Sequence, residues 1–421
     1  MPGGPISMKF AFASYGTRGD IEPSVCIAHE LQRRGHQVRL AVPPDLVDFV
    51  EATDLATVPY GPRLQEFMRE DLVRDLWTEI IHNPLGALRE LWEPIATHWN
   101  TASTTLEELA RGADVLSTGL NFEQAAANVA EHYNIPLVAL HHFPMRPNAQ
   151  LAPSLPGPLV RATGVASDWL MWRTTRDVEN AQRHALNLPT ANHRSTHRMA
   201  ERRTLEIQAY DVNCFPGLAT EWARFGDRRP FTGALTMELD TDEDAGVAAW
   251  IEAGQPPICF ATGSIAVASP ADTIRLFAAA CEELGQRALI CAGGTDFSGI
   301  TLPSHVKVVG AVNYSTVFPK CRAVVHHGGA GTTAASLRAG IPTLILWSTA
   351  DQPYWGNQVK RLGVGTARRA CKTTARSLAA DLGKLLSPDY ASRAGEFASR
   401  MTTSTQSATH AADLFEGEVH R

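Results

Sequence analysis

The chain has 421 residues, 44% of them hydrophobic and 19% charged, with a formal net charge of -6. That length supports two or three domains with real cores, and the mild acidity excludes a strongly basic nucleic-acid binder, so no nucleic-acid partner is expected. Seven cysteines stand singly, without CxxC or Cys/His metal spacing, which disfavours zinc sites and disulfide scaffolds and reads as small core residues in a reducing compartment.

Taken in order, Met1-Pro2-Gly3-Gly4-Pro5 lacks the charged and apolar regions of a signal peptide, and Met8 is an alternative start. No apolar run reaches the roughly 18–20 residues of a membrane span, so a cytoplasmic protein is expected. Residues 8–14 predict a buried strand and Tyr15–Asp20 a glycine-bearing loop. Residues 21–35 predict a helix with Pro23 in its first turn and Gly35 past its end. Val38–Val42 is the next strand, completing a parallel β/α unit. Residues 60–110 read as helical, Val115–Ser117 and Leu137–His141 as strands, and the Pro-rich stretch 141–165 as a long loop.

Periodicity is weakest at about 215–250, where the linker is placed. The β/α grammar then restarts. Pro257–Phe260 is a strand, Thr262-Gly263-Ser264 a turn and 270–285 a helix. Ala288–Ala292, Lys307–Val309, Ala323–His326 and Pro342–Leu346 are strands, with a Gly-rich loop His327–Thr332 opening a helix over 332–339. The expectation is an α/β chain of two doubly wound domains, 1–228 and 229–421, with the last helix free to pack back on the first.

The loop His326-His327-Gly328-Gly329-Ala330-Gly331-Thr332 follows a strand and opens a helix. Its glycines admit a ligand to the backbone, and the helix start offers unpaired N–H groups and a positive dipole end. His327 and Thr332 can donate to phosphate oxygens; a tight turn with buried histidines is the other reading. The spacing matches neither GxGxxG nor GxxxxGK[ST], against NAD and P-loop chemistry. At the end of the next strand, Asp351-Gln352 pairs an acid with an amide, which suits several hydroxyls of one small ligand, or simply a capped turn.

From Val309 to Gln352 the chain resembles the nucleotide-sugar signature of glycosyltransferase family one, inverting enzymes of GT-B fold with two Rossmann-like domains facing each other across a cleft. His327 takes the position of the phosphate-binding histidine and Asp351-Gln352 that of the sugar-binding pair, 24 residues on without gaps. Gly16-Thr17-Arg18-Gly19-Asp20-Ile21-Glu22-Pro23 is similar to the opening of the actinobacterial branch, which includes antibiotic and mycobacterial glycopeptidolipid glycosyltransferases. Glu206–Tyr210 and Arg229–Leu235 resemble the mycobacterial members, so the likeness spans nearly the whole chain.

The resemblance implies a diphosphate site of His327, Gly329, Gly331 and Thr332, with Ser264 in the turn of the second half and Val312 beside Asn313 near the base. It makes Asp351 and Gln352 the donor-sugar residues and Asp20 the general base. Asp20 also suits helix capping, compatibly with that role, and Glu22 is a second candidate. Two positions depart from the plant-type pattern. Ala335 replaces an acid that binds ribose, which suits a deoxyribose nucleotide such as dTDP and leaves UDP open; Val309 replaces a base-stacking aromatic.

Asp240-Thr241-Asp242 is formally a DxD motif, which in a different glycosyltransferase fold holds a metal. Here it falls in the linker within an acidic run that reads as solvated surface. A helix dipole and a histidine supply the positive potential instead, so neither metal nor cofactor is expected and the nucleotide sugar is a co-substrate. The acceptor is expected to be hydrophobic or lipid-linked, on the first domain, where Leu85–Trp99 carries an apolar helical face. The basic cluster His193, Arg194, His197, Arg198, Arg202 and Arg203 reads as a solvated face or as a peripheral contact with an anionic membrane. An epimerase or hydrolase of the same fold, tailoring of a polyketide or glycopeptide natural product, and a nucleotide-sugar binding module without activity are the competing functions.

Overall fold

The computed structural model describes residues 7–64, 96–263, 267, 269–348 and 351–420. The chain divides into two compact units. One comprises Met1–Val212, Pro216–Leu235 and Thr405–Arg421, the other Asn213–Phe215 and Thr236–Ser404. The chain therefore passes between units near Leu235, and its end belongs to the first unit.

Among the described residues the first unit holds a six-stranded parallel sheet. Its strands are β1 (Lys9–Ala13), β2 (Gln37–Val42), β3 (Thr57–Pro59), β4 (Val115–Thr118), β5 (Leu137–His141) and β6 (Leu205–Gln208), in the order β3-β2-β1-β4-β5-β6. The second unit repeats the plan with β7 (Ile258–Ala261), β8 (Ala288–Cys291), β9 (Val306–Val309), β10 (Ala323–His326), β11 (Thr343–Trp347) and β12 (Gly365–Arg369), in the order β12-β11-β10-β7-β8-β9. Every residue of β4, β5, β7 and β8 is buried, because helices cover both faces of a parallel sheet and leave its central strands no polar side.

Each sheet reverses direction once, between β1 and β4 and between β7 and β10. Loops leaving the carboxyl ends of strands flanking such a reversal diverge and open a crevice. Residues 14–20 follow β1, 262–263 follow β7, and 327–329 follow β10, so the topology alone delivers the candidate site loops.

Two elements differ from the sequence expectation. The first helix begins earlier, at Arg18, and runs to Arg33, since the Thr17 start signal precedes the apolar periodicity. The segment expected to be loop over 141–165 becomes helix at Gly157, which runs to Ala185; Pro158 in its first turn is a helix-start residue, where a missing N–H costs nothing. Of the apolar face expected over Leu85–Trp99, residues 85–95 lie outside the described residues, while Trp99 is buried at the head of a helix, Trp99–Ala110.

The two faces of β1 bury different partners. Ala11 and Ala13 join a cluster with Tyr15, Trp99 and Leu106. Phe10 and Phe12 lie on the other face, where Phe415 of the final helix, Ser404–Val419, stacks on Phe12 at 5.0 Å and meets Phe10 edge-on at 6.0 Å. Arg34 binds Asp413 and Glu416 of the same helix at 2.7 and 2.9 Å. Phe415→Ala is expected to cost about 3–5 kcal/mol, read as a lower melting temperature of the first unit. An unchanged melting temperature would mean that this helix contributes nothing to that core.

Candidate functional site

In the first unit the site begins with a glycine. Gly16 has φ +142°, and a Cβ there would lie 2.3 Å from Asp20 Oδ2. With no side chain in the way, the carboxylate folds back over the loop. Thr17 N–H and Thr17 Oγ1–H both donate to Asp20 Oδ2, at 2.7 and 3.0 Å, which closes the start of the first helix. Capping therefore occupies one oxygen only. Asp20 Oδ1 faces His142 Nε2 at 3.6 Å, with the Asp20 side chain 26% exposed. Glu22 lies one turn of helix from Arg18 and pairs with it at 3.4 Å, as a helix-surface acid does.

In the second unit β10 ends in two histidines with different surroundings. His326 is buried, and its Nδ1 accepts from Gly328 N–H at 3.1 Å. That bond puts the ring proton on Nε2, which is buried without a partner. Burial, with a smaller effect from His327, pushes the His326 pKa down to about 3. His327 is half-buried, its buried Nδ1 has no partner, and burial lowers its pKa as well. Both rings are therefore neutral near pH 7.

The His327 ring lies in a slot walled by glycines. A Cβ on Gly263 would sit 2.8 Å from its Nδ1, and a Cβ on Gly329 would sit 2.5 Å from its Nε2. Gly293 in turn packs on Gly263: a Cβ there would be 2.0 Å from Gly263 O, and Gly294 N–H donates to that carbonyl at 3.0 Å. The next helix runs Ala330–Arg338 from an extended Gly329, and its first internal bond is Thr333 N–H to Gly329 O at 2.9 Å. The N–H groups of Gly331 and Thr332 thus have no acceptor inside the helix. A Cβ on Gly331 would approach only Thr236 Cγ2, at 3.9 Å, so this backbone is open. A neutral donor-capable ring and the positive end of a helix stand side by side, an arrangement whose chemistry suits an anion without lysine.

Gln352 belongs to this loop. At Gly328, with φ +98°, a Cβ would lie 3.2 Å from Gln352 Cβ, and Gln352 Oε1 accepts from Ser348 N–H at 2.8 Å. Asp351 precedes the helix Gln352–Arg361, and its Oδ2 accepts from Trp355 Nε1–H at 3.1 Å. Ser264 lies outside the described residues. The side chain of Val312 packs in the apolar core with Val317, Phe318 and Val324, so only its backbone is available to a ligand. Its loop follows β9, at the sheet edge, with β7 and β8 between it and β10.

Asp240, Asp242 and Glu243 of the acidic run are exposed, as expected, but three of its carboxylates are also tied to the loop after β9. Glu243 accepts from Gly310 N–H at 3.0 Å, Asp244 from Asn313 N–H at 2.9 Å, and Asp240 from Asn313 Nδ2 at 3.0 Å. These carboxylates hold the loop that carries Val312. Two members of the basic cluster are internally paired, Arg194 with Asp168 at 2.8 Å and Arg198 with Glu179, while His193, His197, Arg202 and Arg203 are exposed. Sequence reading missed Gly16, whose role appears only in its φ, and His142, whose signal was a second histidine at a strand end.

Two doubly wound parallel sheets with a phosphate-type loop after β10 define a GT-B architecture. The chain is similar in fold to the glycosyltransferase of kitacinnamycin (TM-score 0.68, 18% identity, 99% of this chain and 100% of that one). It is similar too to the glycosyltransferase VinC in complex with dTDP (TM-score 0.67, 16% identity, 98% and 100%). Residues 10–97 match the glycosyltransferase family 28 N-terminal domain, and residues 293–416 match the erythromycin biosynthesis protein CIII-like C-terminal domain. An uncharacterised glycosyltransferase of Mycobacterium tuberculosis (strain ATCC 25618 / H37Rv) is 55% identical over 417 residues, covering 98% of this chain and 100% of its own. Vancomycin aglycone glucosyltransferase of Amycolatopsis orientalis is 30% identical over 435 residues, 98% of each chain. The chain belongs to this family of GT-B glycosyltransferases and is an enzyme of that class.

The buried histidine makes stability depend on pH. An unfolded histidine binds its proton below about pH 6.5, the folded His326 only near 3. Between those values the unfolded state holds more protons, so stability falls as pH drops, by up to about 1.4 kcal/mol per pH unit. Above that window the effect vanishes. His326→Asn retains an acceptor for Gly328 N–H and removes the titration, so its urea midpoint should fall less steeply with acid than that of the parent. Equal slopes would contradict a neutral buried ring.

Proposed function

We propose that the chain moves a hexose or 6-deoxyhexose from a dTDP- or UDP-sugar to a hydroxyl of a hydrophobic acceptor, a glycolipid, glycopeptidolipid or lipopeptide, with inversion at the anomeric carbon. The observation that carries the reading is the glycine-walled His327 beside the open helix start at Gly331 and Thr332. A departing diphosphate needs donors aimed at its developing charge, and fixed N–H groups supply them without reorganisation. The solved VinC complex with dTDP and a spinosyn rhamnosyltransferase of TM-score 0.65 and 16% identity agree with such a donor.

In the proposed step Asp20 Oδ1 takes the acceptor hydroxyl proton. The oxygen attacks the anomeric carbon from the face opposite the nucleotide. As that bond forms, the bond from carbon to diphosphate oxygen breaks, and its electron pair stays on the diphosphate beside His327, Gly329, Gly331 and Thr332. Asp351 and Gln352 accept from and donate to the sugar hydroxyls. The helix end supplies the positive potential and the neutral imidazole an N–H donor, so EDTA should leave turnover unchanged. Among the described residues no helix is long and apolar enough to cross a membrane. In this reading the enzyme works in the cytoplasm and meets a lipid acceptor at the membrane surface.

Asp20→Asn should fold, keep the capping acceptor, and lose roughly 10²–10⁴ in turnover, the usual worth of a general base. The measurement is product formation from dTDP- and UDP-sugars with a lipid-linked hydroxyl, together with the anomeric configuration by NMR. An inverted product and an inert folded variant support the reading. A retained configuration, or an Asp20→Asn enzyme at parental rate, overturns it; an epimerised or hydrolysed donor without transfer favours the competing functions.

A further inference from the structure

We infer that His142 is a positioning residue for Asp20, fixing the one carboxylate oxygen left for chemistry. The inference rests on Asp20 being the base. Thr17 holds Oδ2 through two hydrogen bonds, so Oδ1 alone can receive a proton from an acceptor. Among the described residues that oxygen is paired with His142 Nε2, at 3.6 Å. The His142 side chain is 15% exposed, so the pair is shielded enough for direction to matter, unlike a solvated surface pair.

What makes this a built feature is the segment that carries His142. His141, its neighbour, is buried and its Nε2 lies 2.9 Å from Glu123 Oε1. Arg146 donates to Glu123 at 2.8 Å and to Glu206 at 2.6 Å, and Arg229 also reaches Glu206. Asn148 Nδ2 closes back on the carbonyls of Pro144 and Arg146, at 3.2 and 2.8 Å. Burial alone would raise the Glu123 pKa, yet Arg146 and His141 outweigh it and hold the group at about 2. The network therefore stays charged, and breaking either partner would strand a buried ion. So the backbone on both sides of His142 is fixed by buried charge pairs, and His142 is the one member of the segment turned to Asp20. At 3.6 Å the two atoms stand just outside hydrogen-bond distance; a small closure when the acceptor binds lets Nε2–H donate to Oδ1, which sets the torsion of the carboxylate and directs its remaining lone pair at the acceptor.

The test compares His142→Ala, His142→Gln and His142→Phe, alone and with Asp20→Asn, by kcat and KM. A small misplacement of a catalytic group costs up to about 10²-fold. His142→Ala and His142→Phe should therefore lower kcat roughly tenfold to a hundredfold, with the donor KM unchanged and the melting temperature near that of the parent. His142→Gln, which keeps an N–H donor, should recover most of kcat. In the Asp20→Asn background, removing His142 should add no further loss. Parental kcat in His142→Ala, Gln no better than Phe, or additive losses with Asp20→Asn would each overturn the role of His142 while leaving Asp20 as base. Parental turnover in Asp20→Asn alone would instead remove the reading beneath it.

Discussion

His327 can occupy its place only because neither Gly263 nor Gly329 carries a side chain. That steric fact organises the second unit. Gly293 must approach the Gly263 carbonyl to seat it, and Gly328 must take a positive φ to return the loop against Gln352. The ring that results is half-buried, and burial lowers its pKa, which favours the uncharged form. An uncharged donor beside a helix start binds an anion by geometry, with less desolvation cost than a buried ammonium. In the proposed reading, a chain of net charge -6 would bind its diphosphate at a loop and a helix end, with no lysine needed.

The first unit uses a related device for an opposite purpose. Gly16 clears the space in which the Asp20 carboxylate turns back on Thr17. One oxygen completes the helix start while the other stays available. Both loops stand where they do for a topological reason, since each follows a strand beside the point at which its sheet reverses. The chemistry is carried by short loops, and the rigid sheets fix their direction.

Much of this was legible in the sequence. Strands such as Val115–Ser117 and Leu137–His141 are legible from the β/α grammar, and the glycine-rich loop after β10 is local, so residue order alone points to it. The resemblance supplied roles for His327, Asp351 and Asp20. What was not legible is non-local. His142 and Asp20 lie on different β/α units, and nothing in either segment names the other. Arg146 looked like one charge in a Pro-rich loop, yet it bridges Glu123 and Glu206. The acidic run 240–244 is exposed at Asp240, Asp242 and Glu243, as its composition suggests, but composition does not show that the N–H groups of Gly310 and Asn313 lie opposite. Glycine conformations fall between these cases: the residue is visible, but the φ that makes Gly16 indispensable is not.

The central claim is that the His327 loop is a nucleoside-diphosphate site. Calorimetric titration of dTDP and of UDP into the parent chain and into His327→Ala tests it most directly. The account predicts that at least one nucleotide binds the parent and that His327→Ala binds it roughly tenfold to a hundredfold more weakly, the loss of one hydrogen bond to a charged group. Equal affinity in both proteins, or binding of neither nucleotide to the parent, would contradict it.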